Sequence, residues 1–302
     1  MAPMNPNRQL YTHGKLLITA EYAVLDGALA LALPTRLGQH FSFSTQKEAS
    51  IDWVAKDCNQ KIWFEGQFDV EHLIAKTKNE IADRLTQIFQ AIRHLKPHAI
   101  HSGLWIESTL EFDRNWGLGT SSTLISALAS YFELDPYALL DKTFGGSGYD
   151  IACANAEGPL SYRRSAAGVS VATVALNWSF KDELYLVYLN QKMDSREAIS
   201  HYKQRPIDSA FINDISALTR AVIQAQTLQD FEKLMQQHEE LVGAQLELDP
   251  IGQTLFKGLS GTFSSLGGWG GDFALFTRKE NIPSLKEKGY TTILKLSELC
   301  KL

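Results

Sequence analysis

Cysteine is scarce in this chain: Cys58, Cys153 and Cys300 are the 3 cysteines among 302 residues. They are odd in number, far apart and in no Cys-x-x-Cys pairing, so neither a disulfide framework nor a zinc site is supported. Basic charge is also short. The 29 Lys and Arg against 34 Asp and Glu give a formal net charge of -5, and no long basic run offsets it, which argues against nucleic acid as a partner. No uninterrupted apolar run approaches membrane-spanning length, and the opening residues 1–9 are polar with Pro3 and Pro6. A cytoplasmic protein that avoids membranes is the expectation. Internal repeats, low-complexity tracts and the Walker A pattern are missing too.

What is present is enough for a substantial core: 44% of residues are hydrophobic and 21% charged, and the length suits two domains. The most telling stretch is Asn115-Trp116-Gly117-Leu118-Gly119-Thr120-Ser121-Ser122-Thr123. Its glycines let the backbone take positive φ and approach a ligand closely. Leu124, Ile125, Leu128, Tyr131 and Phe132 follow at helical spacing, so glycines and hydroxyls sit where an amphipathic helix begins. A helix N-terminus offers unpaired N–H groups and about half a positive charge to a phosphate, and a Ser or Thr hydroxyl can complete the shell of Mg²⁺. Taken alone, the same pattern also fits a turn with a Ser/Thr N-cap.

Ahead of it, residues 11–19 read as a strand entering a loop, with Lys15 beside a turn, and 20–27 lead to a second apolar segment closed by Pro34. Strands are expected at 41–44, 51–54 and 62–64, then a helix over about 69–94 with Leu73, Ile74, Ile81, Leu85, Ile88, Phe89 and Ile92 as its apolar stripe. His94, His98 and His101 straddle Pro97, which breaks any shared helical face, so they read as solvated histidines. Residues 104–112 alternate as a strand feeding the glycine loop. Further on, Gly145-Gly146-Ser147-Gly148-Tyr149-Asp150 opens a small-residue helix, where Asp150 is either a helix cap or a functional carboxylate. It is not a nucleophile elbow, because Tyr149 replaces the last glycine of that pattern.

Strands near 160–164 and 169–175 precede a change of character near Lys181. Beyond it the expected order is a strand (184–189), helices over about 195–202, 207–226, 228–247 and 253–258, then strand, helix and strand. The pattern divides the chain into residues 1–180 and a second α+β unit, 181–302. In the latter, Leu266-Gly267-Gly268-Trp269-Gly270-Gly271-Asp272 precedes the apolar Phe273-Ala274-Leu275-Phe276. It is either a hairpin connection or a backbone that must approach something.

Together these segments resemble the GHMP kinases, the small-molecule kinases named after galactokinase, homoserine kinase, mevalonate kinase and phosphomevalonate kinase. The resemblance covers most of the chain. Gly14, Lys15, Glu21 and Tyr22 match the family's P-G-K…G-E-H/Y opening. Residues Gly117-Leu118-Gly119-Thr120-Ser121-Ser122 match its G-L-G-S-S-A phosphate loop, Gly146-Ser147-Gly148-Tyr149-Asp150 its aspartate segment, and 267–272 its C-terminal glycine segment. Among the departures, His13 and Ala20 replace the usual proline and glycine, Thr120 and Ser122 vary the phosphate loop, and Trp269 interrupts the last glycines.

The resemblance implies a two-domain α/β (α+β) kinase, with a ribosomal-protein-S5-like N-terminal domain and a ferredoxin-like C-terminal one. ATP would rest its phosphates on residues 117–122, with Ser121 touching Mg²⁺. Asp150 would accept or orient the acceptor hydroxyl, with Lys15 favouring its ionised form. Glu21, Lys192, Ser195, Arg196, Gly268 and Gly270 fall on the acceptor side, and Arg163 and Arg164 are further basic candidates for a phosphorylated acceptor. The usual acidic Mg²⁺ ligand would fall near Leu139, where only Glu133 and Asp141 are close in sequence. The segments around Glu21 and Asp150 are nearer to phosphomevalonate kinase than to mevalonate kinase, so a mevalonate-pathway acceptor is expected. A homoserine- or sugar-type kinase and a catalytically silent nucleotide-binding protein are the alternatives, and a homodimer is a candidate assembly.

Overall fold

The computed structural model describes residues 7–191 and 195–302, with the side chains of 195–198 outside the described set. Its elements run β1 (Asn7–Leu17), β2 (Ala30–Gln46), β3 (Ser50–Lys56), β4 (Ile62–Asp69), α1 (Glu80–Leu95), β5 (Gly103–Leu110), α2 (Thr120–Phe132), α3 (Pro136–Lys142), α4 (Tyr149–Ala154), β6 (Leu160–Ser165) and β7 (Gly168–Thr173). There follow β8 (Tyr185–Tyr188), α5 (Ser195–Tyr202), α6 (Ser209–Gln224), α7 (Leu228–Leu246), β9 (Phe263–Leu266), β10 (Phe273–Phe276), α8 (Ile282–Glu287), β11 (Ile293–Lys295) and α9 (Leu296–Leu299). A large mixed sheet is ordered β4-β3-β5-β2-β6-β7 with β1 beside β2, and a small antiparallel sheet β11-β8-β10-β9. No helix of the described residues is long and apolar enough to cross a membrane.

Contacts gather the chain into two compact units. The first takes residues 1–14, 37–114 and 119–155. In it the second half of β2 pairs antiparallel with β5, β5 runs parallel to β3, and β3 pairs antiparallel with β4. Alternate strand residues such as Phe43, Trp53, Phe68 and Ile106 meet the apolar stripes of α1 and α2, including Phe89, Ile92, Leu128 and Phe132, in one buried core. Burying such side chains is worth about 1.5–3 kcal/mol each and is what holds the helices on the sheet.

The second unit takes residues 15–36, 115–118 and 156–302. There the first half of β2 pairs with β6, and β6 with β7. The small sheet is drawn wholly from residues after Lys181, and Val187, Phe256, Phe263, Ala274 and Phe276 form the core on it.

Three elements differ from expectation. Helix α1 starts at Glu80 because Asn79, extended and capping the Ala82 amide, is the real start signal. The Asp69 carboxylate accepts from the Ile74 amide and turns the chain before it, leaving Leu73 at φ 56 and Ile74 outside the helix. Strand β2 continues through Pro34, since a proline costs one donor only and its carbonyl is taken by the Lys301 amide. Residues 253–258 form successive turns, not a helix.

Candidate functional site

The loop from β5 to α2 has the geometry its glycines allow. Gly117 has φ 66 and Gly119 φ 94, and Gly119 occupies the N-cap of α2 without any side-chain cap. The first i→i−4 bond of the helix runs from the Thr123 amide to the Gly119 carbonyl, 3.0 Å. The amides of Thr120, Ser121 and Ser122 therefore stand ahead of the ladder with no intrahelical acceptor. The hydroxyls divide. Ser122 is buried and donates to the Gly119 carbonyl at 2.8 Å, and Thr123 donates to the Gln39 side chain at 2.7 Å, whereas Ser121 is exposed. Two hydroxyls thus brace the turn and that of Ser121 faces solvent, beside amides of the kind that can receive an anion at a helix end. Leu118 is 1% exposed, and its side chain anchors the loop.

In the second unit the opening motif is tied to this loop through its backbone: the Lys15 amide donates to the Leu118 carbonyl, 2.9 Å. Glu21 is buried between two residues in the left-handed half of backbone space, Ala20 at φ 69 and Tyr22 at φ 58. Such strain in non-glycine residues persists only where surrounding contacts fix it. They do so here. The Ala20 amide donates to His238 Nε2 at 2.8 Å, and the Tyr22 hydroxyl accepts from the Trp269 amide at 2.9 Å.

The electrostatics follow from burial. Burial pushes the His238 imidazole down to about 4, so it is neutral at pH 7 with Nε2 as acceptor. Its 3.7 Å approach to the Glu21 carboxyl is consequently not an ion pair. Burial, and then the neighbouring Glu239, raise Glu21 well above the ordinary carboxylate value, against opposing help from the Gly267 amide and Lys15. Glu239 itself is pushed up to about 7 by burial, although its carboxylate accepts from the Ser265 amide at 3.0 Å and the Ile251 amide at 3.3 Å.

The C-terminal glycine segment joins antiparallel β9 and β10, so it is a hairpin connection in form. It is also closely approached. Asp272, at φ 53, lays its carboxylate where a methyl on Gly117 would collide with it, and 3.0 Å from where one on Gly267 would sit. Its backbone bonds the strand edge, donating to the Gln191 carbonyl at 2.8 Å and accepting from the Leu189 amide at 2.9 Å. The Trp269 indole lies over α7, where a side chain at Gly243 would press on it at 3.1 Å. Among the described residues no acceptor faces the amides of Gly268 and Gly270.

Asp150 lies in the first turn of the six-residue α4, whose N-cap is Gly148 at φ 84. Asp150 is half-buried, and its Oδ1 accepts from the adjacent Ile151 amide at 3.0 Å. Leu139 is fully buried, and Glu133 pairs with Lys96 at 3.1 Å at the opposite end of α2 from the glycine loop. Arg163 Nε donates to the Gly27 carbonyl at 2.6 Å and braces that turn. Lys192 lies outside the described residues, and Ser195 and Arg196 stand at the start of α5 with side chains outside them.

Sequence reasoning did not single out Asp272, His238 and Glu239. Asp272 had a local signal, standing directly after four glycines and before an apolar strand. His238 and Glu239 sit in a polar-looking helical stretch whose burial only the folded chain reveals.

No family model matches this sequence, and no curated protein matches it. Solved structures do match its fold. Streptococcus pneumoniae phosphomevalonate kinase in complex with phosphomevalonate and AMPPNP superposes with a TM-score of 0.70 at 16% identity, covering 96% of this chain and 100% of that one. L. major mevalonate kinase in complex with R-mevalonate gives 0.66 at 16%, covering 97% of each. Lactococcus lactis galactokinase complexed with galactose gives 0.67 at 10%, covering 100% of this chain and 95% of that one. The two sheets, the glycine loop leading into α2 and these superpositions agree: the chain has the fold of the GHMP kinases.

Proposed function

We propose that the chain is an ATP-dependent kinase that transfers the γ-phosphoryl group of ATP to a hydroxyl of a mevalonate-pathway acceptor, phosphomevalonate or mevalonate. The observation that carries the reading is the N-terminus of α2, where Gly119 leaves three amides without a side-chain cap and Ser121 exposed. A helix end of this kind gains free energy from a bound phosphate because the anion satisfies orphan N–H groups and meets the positive end of the dipole. The fold neighbours that hold a nucleotide analogue, phosphomevalonate or R-mevalonate support the nucleotide and the acceptor class.

Mg²⁺ would sit at the same place, with Ser121, phosphate oxygens and waters in its shell. The carboxylate that commonly completes such a shell is not supplied at Leu139, which is buried. Among the described residues no group of three or more His, Cys, Asp or Glu offers a closed metal cage. Bound together, nucleotide and metal supply the transferable phosphoryl group and neutralise its charge. The protein's own tasks are positioning and proton handling. The amides of residues 117–122 would hold the phosphates, Lys15 would balance negative charge, and Asp150 would accept the proton of the acceptor hydroxyl. Glu21, Gly268 and Gly270, with Lys192, Ser195 and Arg196, would serve the acceptor. In this reading residues 1–180 carry nucleotide and base and 181–302 most of the acceptor contacts.

The test is ADP release with Mg²⁺ and mevalonate, phosphomevalonate, homoserine and galactose in parallel, beside calorimetry with a non-hydrolysable ATP analogue. Turnover with a mevalonate-pathway acceptor is expected. Turnover with galactose or homoserine alone would replace the acceptor, and nucleotide binding without turnover of any acceptor would mark a silent nucleotide-binding protein.

A further inference from the structure

Tyr22 of the opening motif bonds an amide of the C-terminal glycine segment, and its neighbour Glu21 lies beside another. The Glu21 carboxyl faces the Gly267 amide, and the Tyr22 hydroxyl accepts from the Trp269 amide at 2.9 Å. The amides between and beyond them, Gly268 and Gly270, have no acceptor among the described residues. Tyr22 has a second contact. Its ring stacks on that of Tyr202, with centroids 5.6 Å apart and planes 26° from parallel, and Tyr202 is the buried last residue of α5. One side chain, 7% exposed, therefore touches both the glycine segment and the helix that begins with Ser195 and Arg196.

We propose that Tyr22 is a positioning residue for the acceptor: by anchoring the Trp269 amide and bracing α5, it fixes residues 267–271 so that the Gly268 and Gly270 amides meet an anionic group of the acceptor. The proposal rests on the kinase reading and deepens it, assigning an acceptor that carries a carboxylate or phosphate. A glycine-rich hairpin is costly to order because glycine loses the most backbone freedom on folding. An anchored amide, held by a side chain more than two hundred positions away in sequence, removes much of that freedom before any ligand arrives, which is how preorganisation raises affinity. The anchor must be an acceptor on a rigid arm. Tyrosine supplies a hydroxyl at the end of a ring that the Tyr202 stack holds in place.

Tyr22→Phe tests it, since it removes one oxygen and keeps the stack. Hydrogen exchange of the unliganded protein should show the peptide covering 267–271 exchanging about tenfold faster, the weight of one lost hydrogen bond. In turnover, the acceptor KM should rise by about the same factor, with kcat and the dissociation constant for the ATP analogue within twofold of wild type. Tyr202→Leu, which removes the stack together with buried ring volume and the hydroxyl, should raise the same KM. Unchanged exchange in an active Tyr22→Phe enzyme overturns the anchoring, and faster exchange with an unchanged acceptor KM overturns the positioning role while the kinase reading stands. A wild type that turns over no acceptor defeats the kinase reading and the acceptor role together, and exchange then decides the anchoring alone.

Discussion

Two glycine-rich segments present backbone amides by different physics. At 117–122 the amides are open because a helix begins there: Gly119 supplies the left-handed cap, and the next three residues have no carbonyl one turn back. At 267–271 no helix begins. The segment joins two strands and is held by the distant Tyr22 at the Trp269 amide and by Asp272 at its own end, with Glu21 beside Gly267. The open amides of the first follow from nine consecutive residues, although Lys15, Gln39 and Asp272 also touch that stretch; the shape of the second depends on residues some 250 positions apart. The first segment should therefore be most sensitive at its own glycines, while the second should respond to changes far away in sequence.

The largest expected effect belongs to a site of the first, local kind. Asp150 sits two residues after Gly148 in the opening turn of α4, and its Oδ1 accepts from the adjacent Ile151 amide. Asn is nearly isosteric, offers an equivalent oxygen to that amide and suits a helix start, so Asp150→Asn should keep most of the stability of wild type. It cannot serve as a carboxylate base, and kcat should fall by about 10²–10⁴ with nucleotide affinity nearly unchanged. Wild-type turnover by a normally folded variant would reduce Asp150 to a brace for α4.

The buried acids probe the second kind. Burial holds Glu239 near 7 in the folded state, above its unfolded value of 4.5. Between those limits the folded chain binds more protons than the unfolded one, so this group's contribution is fully present below about 4.5 and is lost as pH rises through about 7. The displacement corresponds to roughly 3 kcal/mol. His238 acts oppositely, gaining stability from about pH 4 up to its unfolded value of 6.5, but it is shared by wild type and Glu239→Gln. The stability difference between those two, measured by urea denaturation at about pH 5 and about pH 8, should thus shrink with rising pH. A difference that is the same at both ends would show that Glu239 ionises freely in the fold.

This contrast also explains how much was legible in the sequence. The glycine loop, the helix after it and the strand before it were readable because turn chemistry and apolar periodicity are local. The start of α1 was misplaced because Leu73 and Ile74 continue its periodicity, although the Asp69 turn and the Asn79 cap exclude them. Tyr22 and Glu21 could be matched to a motif, yet nothing near them announces Gly267, Trp269 or His238 as partners. Long-range anchoring leaves no periodic trace.

Gly119→Val returns to the local segment with a smaller expected effect. A β-branched residue is strained at φ 94, by roughly 1–2 kcal/mol, and its side chain would occupy the approach to the Thr120 and Ser121 amides. Affinity for the ATP analogue should drop at least about tenfold in calorimetry. The acceptor KM should be little changed at saturating nucleotide, because residues 267–271 take their shape from other anchors. An unaltered nucleotide affinity would take the phosphates away from this loop.

The smallest effect separates acceptors. Arg196 stands in the first turn of α5, the helix whose last residue stacks on Tyr22. If its guanidinium meets the acceptor's phosphate, Arg196→Gln removes a charge-assisted hydrogen bond worth about 1.5–3 kcal/mol. Screening by salt reduces that, so about a tenfold loss in kcat/KM is expected for phosphomevalonate. Mevalonate has no phosphate to pair and should lose twofold or less, so the ratio of the two specificity constants reports the contact free of any general loss of activity. The ratio should also shrink with added salt in wild type and stay flat in the variant, because only the former contains the ion pair. Equal losses for both acceptors would remove Arg196 from the acceptor's phosphate and leave the Gly268 and Gly270 amides to bind it.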